Sequence, residues 1–187
     1  MQNLFRSIQE LQKLLAKEDI PSIVIGGLAV AAWGEPRLTR DVDLKVLLKR
    51  EESERLMSIL SVGYNPLVSN PLELLQKQAL VFVQDSFGTR LDLLLADTPY
   101  DVLAIERGRD IEIQPGVTIH ICSPEDLVIY KLISTRLRDY DDARSVIRRQ
   151  GEKLDDRFII HWLKQFEEAL NDSTLVNEYQ NIKRDAR

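Results

Sequence analysis

One cysteine, Cys122, stands in 187 residues, so no intrachain disulfide framework can brace this chain. Histidine is almost as scarce. His120 and His161 are isolated, and neither has a partner at metal-ligand spacing, which excludes a zinc centre of the usual kind. No apolar run approaches the roughly 20 residues that cross a bilayer. The first residues, Met1-Gln2-Asn3-Leu4-Phe5-Arg6, lack the basic-then-apolar plan of a secretion signal. Cytoplasm is therefore the expected location, with no membrane partner. Basic charge is not in excess either: the net charge of −5 argues against a broad cationic surface for nucleic acid, though not against a local basic cleft. Repeats and low-complexity segments are missing.

What is present is ordinary for a soluble globular chain, 44% hydrophobic and 29% charged. Leu4, Ile8, Leu11 and Leu15 fall at helical spacing and predict an amphipathic helix ending near Lys17. Ile23-Val24-Ile25 reads as a buried strand, Gly26-Gly27 as a turn, and Leu28 to Trp33 as a short helix stopped by Gly34 and Pro36. Strands are expected over Asp41 to Leu48, Leu80 to Val83, Arg90 to Leu95 and Val117 to Ile121. Helices are expected over Glu51 to Leu60, Pro71 to Gln78 and Tyr100 to Arg107. Ser123-Pro124-Glu125-Asp126 is a strong helix start, with Ser at the cap, Pro at the first position and acids in the first turn. That helix runs through Lys131 and Ile133. Further helices are expected over Asp139 to Arg149 and Asp155 to Leu170, and the stretch from Asn171 reads as a short helix or a loose tail. The fold class that follows is α+β, approaching α/β: a mixed β-sheet core flanked by helices, with a helical C-terminal third. Residues 1–122 are read as the core and 123–187 as a helical region packed on it, within one compact domain.

The most telling stretch is Gly26-Gly27, with thirteen residues between it and Asp41-Val42-Asp43-Leu44. Strand alternation puts Asp41 and Asp43 on one face and Val42, Leu44 and Val46 on the other. Two neighbouring carboxylates on an open face are costly unless a cation neutralises them, and a hard divalent ion suits oxygen ligands best. In Arg90-Leu91-Asp92-Leu93, Asp92 lies opposite the core leucines in the same way. It is the candidate third carboxylate, with Asp85 and Asp97 as rivals at strand ends.

These residues, with Trp33-Gly34 and Arg37-x-Thr39-x-Asp41-Val42-Asp43-Leu44, resemble the signature of the nucleotidyltransferase superfamily with the polymerase β-like fold. The likeness is greatest to minimal nucleotidyltransferases of the AbiEii-like toxin branch. It covers roughly Ile20 to Leu95, and more loosely extends to about Gln150. It implies a Mg²⁺-dependent transfer of a nucleoside monophosphate from an NTP to a hydroxyl, with release of pyrophosphate. Asp41, Asp43 and Asp92 would be the catalytic and metal-binding carboxylates for two Mg²⁺ ions, about 3.5–4 Å apart in typical two-metal sites. Gly26 and Gly27 would bring backbone close to the triphosphate. Lys131 and Arg37 would neutralise its charge, with Asp139 or Asp142 orienting Lys131 or the acceptor.

Several features have plainer readings. Arg40 points away from Asp41, Thr39 braces the loop, and Asp126 is a helix-start charge. Arg136, Arg138, Arg144, Arg148 and Arg149 pair with neighbouring acids in preference to lining an RNA groove. Trp33, Trp162 and Phe166 suit packing better than base stacking, and Cys122 is a small buried residue. Many relatives carry Ser or Thr beside the glycine pair, whereas Gly27-Leu28-Ala29 offers only backbone amides. The acceptor stays open among an RNA end, a protein side chain and a small molecule, with a cognate toxin or antitoxin as a possible partner. Two other readings stand beside this one: a weakened nucleotide- or partner-binding module of antitoxin type, and an aminoglycoside-type nucleotidyltransferase. Oligomeric state is not encoded in any motif.

Overall fold

A computed structural model describes residues 2–39, 41–134 and 136–185. Its contacts group into two units, Met1–Leu28 with Leu38–Cys122, and Ala29–Arg37 with Ser123–Arg187. Arg40, expected to point away from Asp41, lies outside the described residues.

The first unit is built on one seven-stranded sheet in the order β3-β4-β5-β2-β1-β7-β6. Its strands are β1 (Ser22–Ile25), β2 (Asp41–Val46), β3 (Tyr64–Pro66), β4 (Leu80–Asp85), β5 (Arg90–Leu95), β6 (Arg109–Gln114) and β7 (Val117–Ile121). The sheet is mixed, as expected: β2 runs parallel to β5 and β1 parallel to β7, and the other neighbours are antiparallel. The helices α1 (Gln2–Lys17), α3 (Ser53–Leu60), α4 (Pro71–Gln78) and α5 (Pro99–Glu106) belong to this unit.

Helix α1 buries Ile8, Leu11 and Leu15 completely, as its periodicity predicts, each worth about 2 kcal/mol. It also mends the sheet. Strands β1 and β7 are in register at Val24 and Ile121. The Gln12 amide adds bonds beyond that point, donating to the carbonyls of His120 at 2.8 Å and Ser22 at 3.3 Å, and accepting from the His120 amide at 3.0 Å.

The central strands place the core. On β2 the burial alternates, with Val42, Leu44 and Val46 fully buried and Asp41, Asp43 and Lys45 half-buried on the other face. On β5, Leu91, Leu93 and Leu95 continue the same core layer.

Strands β3 and β6 are absent from the sequence expectation. The first is three residues long and ends in Pro66, a composition that an edge position tolerates. In the second, Arg109, Asp110 and Glu112 alternate with Ile111 and Ile113, the guarded pattern of an edge strand. Strand β2 stops at Val46, two residues short of the expected end. The glycine pair does not form a separate turn: Gly26 and Gly27 are the first two residues of α2 (Gly26–Trp33).

In the second unit are α6 (Pro124–Ile133), α7 (Leu137–Gln150), α8 (Asp156–Leu170) and α9 (Leu175–Asp185). Ser123 caps α6, its Oγ accepting from the Asp126 amide at 3.1 Å and donating to Asp126 Oδ2 at 2.5 Å. Asp126 is the helix-start charge expected, fully buried and braced within the first turn. The stretch after Asn171 is a helix and not a tail, anchored by buried Leu175, Tyr179 and Ile182. The segment Trp33–Arg37 is tied to α7. Gln150 Nε2 donates to the Trp33 carbonyl at 2.6 Å, and Arg149 donates to the Gly34 carbonyl. A Cβ at position 34 would lie 2.4 Å from Ser145 Oγ, so this approach requires glycine.

Candidate active site

The register of the sheet brings three carboxylates onto one face of the first unit. Asp43 lies opposite Asp92 across the parallel pair β2/β5, and Asp41 lies opposite Arg90. Residues in register share a face, so Asp41, Asp43 and Asp92 point the same way, as do Arg90 and Lys45. Asp92 is only 8% exposed, so it is not a solvated strand residue. Its rivals are otherwise employed. Asp85 accepts from the amides of Phe87 and Thr89 across a turn, and Asp97 pairs with Arg50.

Gly26 meets this face from the end of β1. Ile25 is in register with Asp43, so the next residue passes directly beside the carboxylate. A Cβ on Gly26 would stand 1.9 Å from Asp43 Oδ2 and 2.6 Å from its Cγ. The backbone there is left-handed, with φ +66°, a conformation that also favours glycine. Gly27 follows it, buried in the first turn of α2. Thr39 braces the approach to β2 as expected, its Oγ1 donating within 3.1 Å of both the backbone carbonyl and Oδ1 of Asp41.

Two cations on this face escape the sequence reading. Arg90 grips Asp92 with a fork, Nε to Oδ1 at 2.7 Å and Nη2 to Oδ2 at 2.9 Å. Hydrogen bonding to Asp92, with the charges of Asp92, Asp41 and Asp43, raises the Arg90 pKa further against a smaller cost of desolvation. Lys45 binds Asp101 at 2.8 Å, and Asp101 in turn accepts from Thr98 Oγ1 at 2.9 Å. The missed signal is simple: each cation sits two residues from a site acid on the same strand, which is same-face spacing.

Among the described residues, no three His, Cys, Asp or Glu side chains gather closely enough to hold a metal as they stand. The chemistry of the donor set nevertheless suits a hard divalent cation. It is all oxygen and strongly acidic, with a glycine pressed against one carboxylate so that no side chain fills the space beside it.

Arg37 and Lys131 both belong to the second unit, where Asp142 joins them. Arg37 makes a two-pronged contact with Asp142 at 2.7 and 2.8 Å, and Lys131 reaches Asp142 at 2.9 Å and Asp139 at 2.5 Å. Ser134 Oγ donates to the other oxygen of Asp139 at 2.5 Å. Burial pushes both carboxyls up. The bonds from Lys131 and Ser134 to Asp139, and from Arg37 and Lys131 to Asp142, outweigh it and hold both below the usual carboxylate range. Lys131 is therefore oriented by Asp139 and Asp142 together. Arg37 pairs with an acid far along the chain.

Among the other candidates, His120 Nδ1 lies 2.7 Å from Asp110, and Cys122 is fully buried. Trp162 packs against Phe158, His161 and Phe166 along α8. Of the arginines, Arg144 pairs with Asp141, Arg136 approaches Asp139, and Arg148 approaches Glu35. Among the described residues no helix is long and apolar enough to cross a membrane.

Comparison with known proteins gives this arrangement a family. Residues 2–187 match the family described as nucleotidyltransferase of unknown function (DUF6036), and the chain belongs to it. It is an enzyme of the nucleotidyltransferase class. No curated protein matches it. Solved structures with the same fold include the antibiotic-resistance factor ANT(2'')-Ia, at 12% identity and TM-score 0.61, covering 91% of this chain and 96% of that one. An antigenic nucleotidyltransferase-like protein from Paracoccidioides brasiliensis aligns at 15% identity and TM-score 0.54, covering 92% and 95%. JHP933 from Helicobacter pylori aligns at 18% identity and TM-score 0.50, covering 99% and 91%.

Proposed function

We propose that this DUF6036 nucleotidyltransferase moves a nucleoside monophosphate from an NTP to a hydroxyl acceptor with the help of Mg²⁺. The observation that carries the reading is the acid face itself: Asp43 and Asp92 in register, Asp41 one step along, and Gly26 held against Asp43. Asp41, Asp43 and Asp92 would hold the metal, two ions in the full complement. Bound metal would supply charge neutralisation for the leaving pyrophosphate and a lowered pKa for the acceptor hydroxyl. The chain's own contribution is positional. Gly26 keeps the space beside Asp43 clear, and the amides opening α2 offer donors to phosphate in place of the missing hydroxyl. Thr39 fixes Asp41. For Arg37 and Lys131 we propose phosphate neutralisation, each starting from its contact with Asp142.

The acceptor has three candidate classes: an RNA end, a protein side chain, as in a toxin–antitoxin setting, or a small cationic molecule. One observation favours the last. A crystal structure of ANT(2'')-Ia holds adenylyl-2''-tobramycin, and the present chain spans 87% of its own length and 98% of that one's in the alignment. Chain length is thus no obstacle to a small-molecule acceptor, and a net charge of −5 suits a cationic one.

The test is incubation of the protein with each radiolabelled NTP, Mg²⁺ and either cell extract or an aminoglycoside panel. Label transferred to RNA, protein or drug, and lost in Asp43→Ala, supports the reading and names the acceptor class. Absence of transfer from every NTP, together with no metal-dependent nucleotide binding, overturns it.

A further inference from the structure

The proposed transfer gives no task to Arg90, a cation on the acid face. Arg90 occupies both oxygens of Asp92 through its fork. The two residues are two apart on β5, so alternation fixes both on the acid face. Phe82 on β4 is in register with Asp92, and its ring lies under the guanidinium at 4.6 Å, an added hold of cation–π type. Arg90 is also in register with Asp41. Among the described residues, the other cation on the face, Lys45, is engaged by Asp101. Arg90 is thus the cation that meets the third carboxylate when no metal is bound.

We propose that Arg90 is a latch on Asp92: it holds this carboxylate in the metal-free protein, and a divalent ion can recruit Asp92 only by displacing the fork. This inference rests on the reading of Asp41, Asp43 and Asp92 as the metal-holding set. Arginine and metal compete for the same carboxylate. A guanidinium fork matches the geometry of a carboxylate and presents full positive charge to the same oxygens that a metal needs. Two cations on one carboxylate repel, so the arginine lowers the affinity for metal while it keeps the acids from repelling one another. The opposite role is equally well defined. If Arg90 only positioned Asp92 for the metal, its removal would weaken metal binding. The two roles predict opposite signs.

The deciding experiment is a Mn²⁺ titration, followed by the electron paramagnetic resonance signal of the free ion. It compares the unmodified protein, Arg90→Gln, Arg90→Lys and Asp43→Ala, each checked for folding by circular dichroism. The latch predicts that Arg90→Gln binds Mn²⁺ about tenfold more tightly, the scale of one lost charged hydrogen-bonded contact. Arg90→Lys keeps the charge without the fork and shows a smaller gain of the same sign, which decides the matter should the glutamine variant fail to fold. Asp43→Ala loses binding. Binding by the unmodified protein that equals or exceeds that of both Arg90 variants overturns the latch and leaves the metal site standing. Absence of Mn²⁺ binding in the unmodified protein and in both Arg90 variants, with and without ATP, overturns the metal site and the latch with it.

Discussion

The two carboxylate clusters of this protein differ in charge balance. On the sheet, Asp41, Asp43 and Asp92 share one face with Arg90, which forks Asp92, and with Lys45, which binds Asp101. In the helical unit, Asp139 and Asp142 hold Lys131 and Arg37 directly, with Arg136 further off Asp139. A buried network in balance is closed: each charge has its counterion, and breaking one contact strands another. Carboxylates gathered on one strand face repel one another and gain from an added cation. The helical cluster is tied together as a brace, whereas the sheet face is the place we propose for an added cation.

The strongest way to break this comparison is to remove one acid from each cluster. Asp43→Ala is expected to lower nucleotidyl transfer by at least about 10²–10³-fold, the scale on which a single charge-stabilising group contributes to catalysis. Its thermal midpoint should change less than that of Asp142→Ala, since it relieves repulsion among the sheet acids. Asp142→Ala should cost about 3 kcal/mol, because Lys131 is left buried with half of its counterions and Arg37 with none of its fork. Denaturant unfolding of both variants, read beside the transfer assay, checks the pair. Equal loss of stability in the two would erase the distinction.

A graded version uses pH. The folded carboxyls of Asp139 and Asp142 are held below their unfolded values, so the unfolded state binds protons first as pH falls. The stabilisation they give is complete above the unfolded carboxylate pKa of about 4 and is lost as pH drops through the depressed folded values. Stability should therefore be flat with respect to these groups from pH 7 to about 5, then fall below about 4. Asp139→Asn with Asp142→Asn should flatten that fall. Denaturant midpoints at pH 6, 4 and 3 give the measurement.

The contrast also explains what could be read from sequence. Asp41, Asp43 and Asp92 are legible because alternation on a strand is a local rule, and one buried leucine layer fixes the face of each acid. The expected helices after Ser123 are legible for the same reason, as caps and periodicity are local. Arg90 and Lys45 obey that rule too, but a cation at same-face spacing does not announce whether it guards an acid or meets solvent. The pairing of Arg37 with Asp142 spans 105 residues, so no local rule reaches it. Strands β3 and β6 are edge strands whose charges and proline mask the period that a central strand displays.

The smallest expected effects come from a motif that the two units share. Thr98-Pro99-Tyr100-Asp101 opens α5 as Ser123-Pro124-Glu125-Asp126 opens α6. In both, the cap hydroxyl accepts from the amide of the aspartate three residues on and donates to its carboxylate. Only the first motif was missed by the sequence reading, although the residues follow the same plan. Cap removal by Thr98→Ala or Ser123→Ala is expected to cost about 1 kcal/mol each. The balance argument separates them further. Asp101 keeps its ion pair with Lys45 when Thr98 is cut back, so its charge stays compensated. Asp126 is fully buried and gives up a 2.5 Å bond from Ser123, against 2.9 Å from Thr98 to Asp101, so the second variant should lie at the upper end of the range, nearer about 2 kcal/mol. Parallel denaturation of the two single variants measures the difference. Equal losses would mean that the counterion of Asp101 contributes nothing to the cap, and that charge balance matters less to this fold than the hydroxyl itself.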